Sequence, residues 1–543
     1  MSGPSARIGT QGLVAAAGLV ALVTLGARVA GVLRWLAFSH AVGATCVGQV
    51  YVTVNTVPNV LFEVAAGGAL AAVAVPLISR QLGLGDEGRA DRIASALLGW
   101  SLLVLLPLSL VAALAAGPIS ALLLTMSPEA TGCVPQDARD AGALMLLLFA
   151  PQVLLYGFGI VLAGVLQAHR RFLTAALAPL LSSVVVIAVY LAFGAVFDAT
   201  APLSELPTGA LVLLAGGTTL GVAALSLPLL VPISRLGVRW RPTLRFPAGS
   251  GRIAGALAVA GVAAVAAQQV FTVVVLLLTN VSGVGGITVW TYAQTVYLLP
   301  YAVLVVPLAT AAFPRLTDDP GTAVPTLRRT VLAATVAAVA AAGALVAARR
   351  EIGTVFLALD RGRDGAGRQA LEALPGTLGA LAPGLVGFAL VAVLGRALYA
   401  ARRPREAAAG VVLGWAVAGL LPLLLVGSAP EVGRVLVLLA VGSSVGMTLA
   451  GGTLAVLTRR AWGAAAMRGW GRALGAALVG AVVATSAWEL IPVDPQGWVG
   501  AVAWGVAAGA VVVAAVLAAL AVLDRDAWSL VRGQVRARVG GRD

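Results

Sequence analysis

Lysine is absent from this chain, and histidine and cysteine occur only twice each. Charged residues make up 11% of its 543 positions, where an ordinary soluble domain carries about 25%. So little charge excludes a water-soluble fold of this length. The two histidines, His40 and His169, fall near predicted helix ends, which leaves no histidine-based metal or nucleophile site. No glycine-rich loop carries a lysine for a nucleotide phosphate, so the chain encodes no ATP-driven motor. It reads as a non-enzyme with no cofactor.

What is abundant is apolar surface. Hydrophobic residues are 60% of the sequence and the mean hydropathy is +0.99. Apolar runs of about 20 residues recur from end to end, the length that crosses a bilayer as a helix. Leu/Val/Ala runs with internal Gly and Pro argue for helices, since barrel strands alternate over about 10 residues. The expected fold is an all-α polytopic membrane protein with about fourteen spans. They lie near 12–41, 49–79, 92–116, 140–168, 172–196, 207–234, 253–279, 286–313, 326–348, 372–400, 407–428, 433–457, 471–490 and 498–522. The N-terminal MSGPSARIGTQG precedes an apolar run too long for a cleaved signal peptide, and none is expected.

The net charge of +14 comes from 36 Arg, and their placement speaks for topology rather than for nucleic acid. Loops on one side of the predicted spans hold 26 of them and those on the other hold seven, leaving Arg28, Arg34 and Arg396 inside helices. The positive-inside rule puts both termini in the cytoplasm of a cell-membrane protein. The discordant loop is 349–371, whose five Arg and IGTVFLAL run suggest an amphipathic segment on the outer surface.

The chain repeats itself. At an offset of 232, Ala150-Pro151 falls on Ala382-Pro383, Val161-Leu162 on Val393-Leu394, and Arg170-Arg171 on Arg402-Arg403. VAVPLISR in the second predicted helix echoes ATAAFPRLT in the eighth. Both echoes give a period of six helices. An even period means two halves of the same orientation, the plan of transporters that hold substrate between two lobes. The expected units are an N-terminal lobe at 1–235, a basic linker at 236–252 and a C-terminal lobe at 253–457. Two further helices lie at 458–523, followed by a basic tail at 524–543.

Charges inside spans usually face a bundle interior or a pathway. Arg28 and Glu63 fall at a similar depth in consecutive antiparallel helices, roughly 20 Å from one end at 1.5 Å per residue. They are candidates either for a structural ion pair or for one cationic cavity wall. Arg34 is shallower and could instead snorkel to headgroups. Asn55, Pro58, Asn59, Gly67 and Gly68 flank Glu63 in a helix that Pro and Gly predispose to bend. Gln268, Gln269, Asn280, Gln294 and Ser443-Ser444 are further polar points, and the seventh to twelfth predicted helices hold no clearly buried carboxylate. Cys46 and Cys133 both fall on the predicted outer side, where they form a candidate disulfide.

The series Ala27, Arg28, Gly31, Arg34, Tyr51, Asn55, Pro58-Asn59, Glu63, Gly67-Gly68, Pro76 and Arg80 resembles the opening of MurJ (MviN) proteins. So do PQVLLYGFGIVLAGVLQAHRRF and YAQTVYLLPYAVLVVPLATAAFPRLT; the resemblance covers roughly 15–425 and is closest to the actinobacterial branch. It implies a flippase of the MATE-like multidrug/oligosaccharidyl-lipid/polysaccharide exporter superfamily. Such a protein moves lipid II or a similar polyprenyl-pyrophosphate glycan to the outer leaflet. It also implies that Arg28 and Arg34 bind the pyrophosphate and that the last two helices take the lipid tail. The drive would be the membrane potential or an ion gradient. Expected partners are that substrate, membrane lipids and cell-wall synthesis proteins, and no nucleic acid. Where family members carry further cavity Arg on the second and eighth helices, this chain has Phe62 and Thr295, and Gln49 replaces an acidic residue. Export of another polyprenyl glycan or small molecule, or a scaffold role without transport, remain the alternatives.

Overall fold

The computed structural model describes residues 10–125, 133–241, 243–247, 250–318, 320–428, 430–492, 495 and 497–539. Arg7, Arg542 and the last four residues of the expected basic tail lie outside them. Among the described residues the chain is helical throughout, with no strand.

The first half comprises α1 (Thr10–Ala41), α2 (Cys46–Phe62), a π-helical segment Glu63–Gly67, α3 (Gly68–Gly83), α4 (Glu87–Leu114) and α5 (Ala116–Leu123). It continues with α6 (Pro135–Phe149), α7 (Pro151–Ala168), α8 (Phe172–Val196), α9 (Thr208–Ser226) and α10 (Leu230–Ser234). The second half begins with α11 (Ser250–Ser282), α12 (Gly286–Pro300), a second π segment Tyr301–Val305, α13 (Val306–Asp318) and α14 (Pro320–Ala347). Next come α15 (Arg349–Leu359), α16 (Arg368–Glu372), α17 (Leu374–Leu381), α18 (Gly384–Ala400), α19 (Pro404–Leu425) and α20 (Val432–Trp462). The chain ends with α21 (Trp470–Glu489), α22 (Gly497–Leu523) and α23 (Arg525–Val539).

Twelve helices among the described residues are long and apolar enough to cross a membrane, or thirteen if the bent pair α17–α18 is one span. The chain is therefore a multi-pass membrane protein. The full count of fourteen is not confirmed among the described residues. The second expected span is the continuous helical run of α2 (17 residues), the π segment and α3 (16 residues).

The repeat appears in backbone detail. Among the described residues, Arg170 and Arg402 are the non-glycine residues with positive φ, at 60° and 59°. In each case the following residue closes the helix end: Arg171 N–H donates to the Leu166 carbonyl, and Arg403 N–H to that of Leu398, both at 2.8 Å. These are matching left-handed C-caps, 232 residues apart. The π segments at Glu63 and Tyr301 are likewise 238 residues apart, the offset that lays Pro76 on Pro314. A π segment is a one-residue insertion into an α-helix, frequently found at functional sites.

The two halves meet at the end of the bundle that carries Cys46 and Cys133, here termed the disulfide end. A disulfide joins these residues, with Cα atoms 5.4 Å apart. At the opposite, Arg-rich end the linker packs on α4: Arg239 N–H donates to Asp91 (3.1 Å) and Trp100 Nε1–H to the Leu244 carbonyl (2.9 Å).

Candidate functional site

A cavity of about 470 Å³ lies between the halves, midway along the bundle. From α1 it takes Gly31, Arg34 and Trp35, and from α2 it takes Tyr51, Asn55, Thr56 and Asn59. Tyr156 enters from α7, Ser182, Ser183 and Tyr190 from α8, and Thr218 from α9. The second half adds Phe271 and Thr272 from α11 and Trp290, Thr291 and Gln294 from α12.

One wall is a hydroxyl cluster. Tyr51 OH shares hydrogen bonds with Tyr190 OH (2.8 Å) and Thr218 Oγ1 (2.9 Å), and Phe38 packs on both tyrosine rings. Arg34 stands against this wall with its guanidinium carbon 5.7 Å from the Trp35 ring centre, a cation–π contact. Its Nε–H is buried without a partner, and so is the Asn55 Oδ1 acceptor. Buried polar groups are normally satisfied, so the unpaired donor on a cation calls for an acceptor such as an anion's oxygen, and the unpaired Asn55 oxygen calls for a separate donor such as a hydroxyl. A guanidinium can grip a phosphate with two parallel N–H bonds.

The structure separates residues that the sequence grouped. Arg28 points within about 20° of the Trp35 direction, because seven residues are nearly two turns, yet it lies about 10 Å nearer the Arg-rich end. It is exposed and does not line the cavity. The Arg28–Glu63 ion pair is not formed. Depth matched, but adjacency did not: α1 packs along α8, while the π segment that begins at Glu63 packs against α4, α7 and α11. Glu63 is half-buried and has no ion pair among the described residues. Asn55 and Asn59 do line the cavity, and Asn59 Nδ2 donates to the Asn55 carbonyl (3.3 Å). Pro58 is inside α2, Gly67 closes the π segment and Gly68 opens α3. Phe62 is buried, and Thr295 bonds back to the Thr291 carbonyl.

The cavity is sealed at the disulfide end by polar contacts between the halves. Gln49 Nε2 donates to Asn280 Oδ1 (3.1 Å), and its Oε1 accepts from Gly285 N–H. Asn280 Nδ2 also donates to Thr53 Oγ1 (3.1 Å). The segment expected as an outer-surface amphipathic loop keeps Arg350, Arg361, Arg363 and Arg368 exposed and joins this seal through Asp360. This residue is fully buried. One carboxylate oxygen accepts from the Ala44 and Gly362 N–H groups (2.8 Å each), the other from Ser39 Oγ (2.8 Å) and Tyr292 OH (2.9 Å). Burial raises the Asp360 carboxyl above its usual range, against the pull of these four donors. Gly43 makes the approach possible: its φ is +72°, and a Cβ there would collide with the Asp360 carboxylate and the Arg361 N–H. The expectation that the second half buries no carboxylate was confined to helices and overlooked this loop. Only a run of Gly beside Asp360 (RGRDGAG) hinted at tight packing.

The family model for the lipid II flippase MurJ matches residues 38–508. The chain belongs to the MurJ lipid II flippase family. A probable lipid II flippase MurJ of Synechocystis sp. is 32% identical over 242 residues, which are 44% of this chain and 42% of that protein. The match thus spans less than half of the relative's length. The fold is that of a lipid II flippase MurJ solved in an inward closed conformation: TM-score 0.69, 15% identity, covering 91% of this chain and 97% of that one. A multidrug resistance MATE family transporter of the MOP superfamily in an inward-facing conformation gives TM-score 0.55 at 14% identity, covering 87% and 96%.

Proposed function

We propose that this MurJ family member flips lipid II, a polyprenyl-pyrophosphate-linked peptidoglycan precursor, from the inner to the outer leaflet of the cell membrane by alternating access. The observation that carries the reading is Arg34, a half-buried arginine whose buried Nε–H is unpaired, at a cavity between the two halves. A pyrophosphate supplies the oxygens that this donor lacks. Arg28, about 120° around α1 from Arg34 and nearer the Arg-rich end, serves as an approach cation.

The Arg count places the Arg-rich end and both termini in the cytoplasm. The sealed disulfide end then faces outward, and the cavity loads from inside. An apolar groove of about 620 Å³ between the second π segment, α14 and α22 suits the polyprenyl tail; Leu304, Leu308, Val336 and Val513 line it. An inside-negative potential favours outward movement of the anion by about 2.3 kcal/mol per charge per 100 mV. It also favours the inward return of an emptied cationic site, so the drive is the membrane potential or a coupled ion.

The test is complementation of a flippase-depleted strain with Arg34→Ala, scored by lipid II on the outer face. The expected result is loss of flipping, with partial rescue by Arg34→Lys. Full activity of Arg34→Ala would overturn the assignment.

A further inference from the structure

A second polar pocket lies at the disulfide end, remote from the central cavity. It has a volume of about 370 Å³, and its lining includes Arg349, Arg350, Glu351, Trp488, Glu489 and Trp504. Glu351 and Trp488 are each 8% exposed. The Glu351 Oε2 acceptor and the Trp488 Nε1 donor are both buried without a hydrogen-bond partner. The Trp488 ring packs on Trp504 with centres 4.6 Å apart, which fixes where its N–H points. Arg349 is held by an ion pair to Glu489 (2.5 Å), whereas Arg350 is exposed and has no ion pair among the described residues. Glu351 also lines an adjoining apolar pocket of about 270 Å³ with Val296, Ile352, Val355, Val502 and Val506.

Tryptophans near helix ends often form an interfacial belt, but a belt indole turns its N–H to headgroups or water, and this one is enclosed. The pocket asks for a donor to Glu351, an acceptor for Trp488, an anion for Arg350 and an apolar chain beside them. A hydroxyl both donates and accepts. An ammonium donates only, and a bare phosphate monoester offers oxygens to Trp488 but repels the carboxylate.

We propose that this pocket binds the headgroup of a membrane phospholipid that carries free hydroxyls beyond its phosphate, with an acyl chain in the adjoining apolar pocket. The phosphate pairs with Arg350, one hydroxyl bridges Glu351 and Trp488, and the lipid braces α15 against α21 and α22. The proposal does not depend on the transport reading.

The test is lipid binding to the full-length purified protein by native mass spectrometry. Phosphatidylglycerol, phosphatidylethanolamine and phosphatidic acid of equal chain length are compared on wild type, Glu351→Gln and Trp488→Phe. Phosphatidylglycerol is expected to bind best. Trp488→Phe removes one hydrogen bond and weakens its binding about tenfold, and Glu351→Gln, which keeps an acceptor but loses the charge that repels a phosphate monoester, narrows the preference for it over phosphatidic acid. Trp488→Phe keeps the ring contact with Trp504 and serves if Glu351→Gln fails to fold. Equal binding of the three lipids would overturn the proposal. So would unchanged phosphatidylglycerol selectivity in Trp488→Phe, the result expected if a buried water satisfies both groups.

Discussion

Replacing Asp360 by Ala probes the seal at the disulfide end directly. The carboxylate takes four donors, two of them the backbone N–H groups of Ala44 and Gly362, and both residues are buried. The hydroxyls of Ser39 and Tyr292 can rotate to other acceptors, but the two amides cannot. A stranded buried N–H costs about 1–3 kcal/mol, so two cost about 2–6 kcal/mol. Removal of the carboxylate also removes its own desolvation penalty, which argues for the lower figure. About 2 kcal/mol is roughly a thirtyfold shift toward the opened end. Amide hydrogen exchange of peptides covering 43–48 and 361–367 reads this out, because these peptides contain the bonded amides. Exchange there should accelerate about thirtyfold, with little change in α4 or α7. Asp360→Asn keeps one acceptor oxygen for the amides and should fall between. Exchange within threefold of wild type in Asp360→Ala would refute the account of the seal.

Asn280→Ala removes the acceptor for Gln49 and the donor to Thr53, and should raise exchange in the same peptides by roughly tenfold. Reduction of Cys46–Cys133, which closes a loop across 87 residues, should lower thermal stability by up to about 4–5 kcal/mol; an unchanged melting temperature would show that the loop is held by packing alone. Arg170→Gly and Arg402→Gly relieve a left-handed backbone at a side-chain-bearing residue and should each stabilise by up to about 1 kcal/mol, measured by thermal unfolding in detergent. If the two shifts differ in sign, the repeat is not equivalent at these caps. Arg28→Ala should reduce outer-leaflet lipid II less than Arg34→Ala in the complementation assay, since Arg28 stands outside the cavity; a reversed order would move the anion site toward the Arg-rich end.

The extent of the spans was legible because bilayer-length apolar runs and flanking Arg are local properties of a chain. The repeat was legible for a similar reason: Ala-Pro and Arg-Arg recur at a fixed offset where the structure shows the same helix break and the same left-handed cap. The distorted second helix was half legible. Pro58, Gly67 and Gly68 predicted a bend, but not that the extra residue is accommodated as a π segment starting at Glu63.

The partner of a charged residue was not legible. Arg28 and Glu63 share a depth, and consecutive helices usually neighbour one another, yet α1 turns to α8 and leaves Glu63 to other neighbours. Burial of Asp360 was hidden for the same reason, since its donors come from Ser39, Ala44 and Tyr292 on other elements. By itself the sequence determined a helical membrane protein of two like halves with a guanidinium in its first span. Hydrophobic length and local backbone preference act over a few turns and leave their mark in the chain. Only the tertiary structure decided that Arg34 and not Arg28 lines the cavity, and that a loop carboxylate locks one end. Those outcomes depend on which helix faces which, and that is set by packing across hundreds of residues.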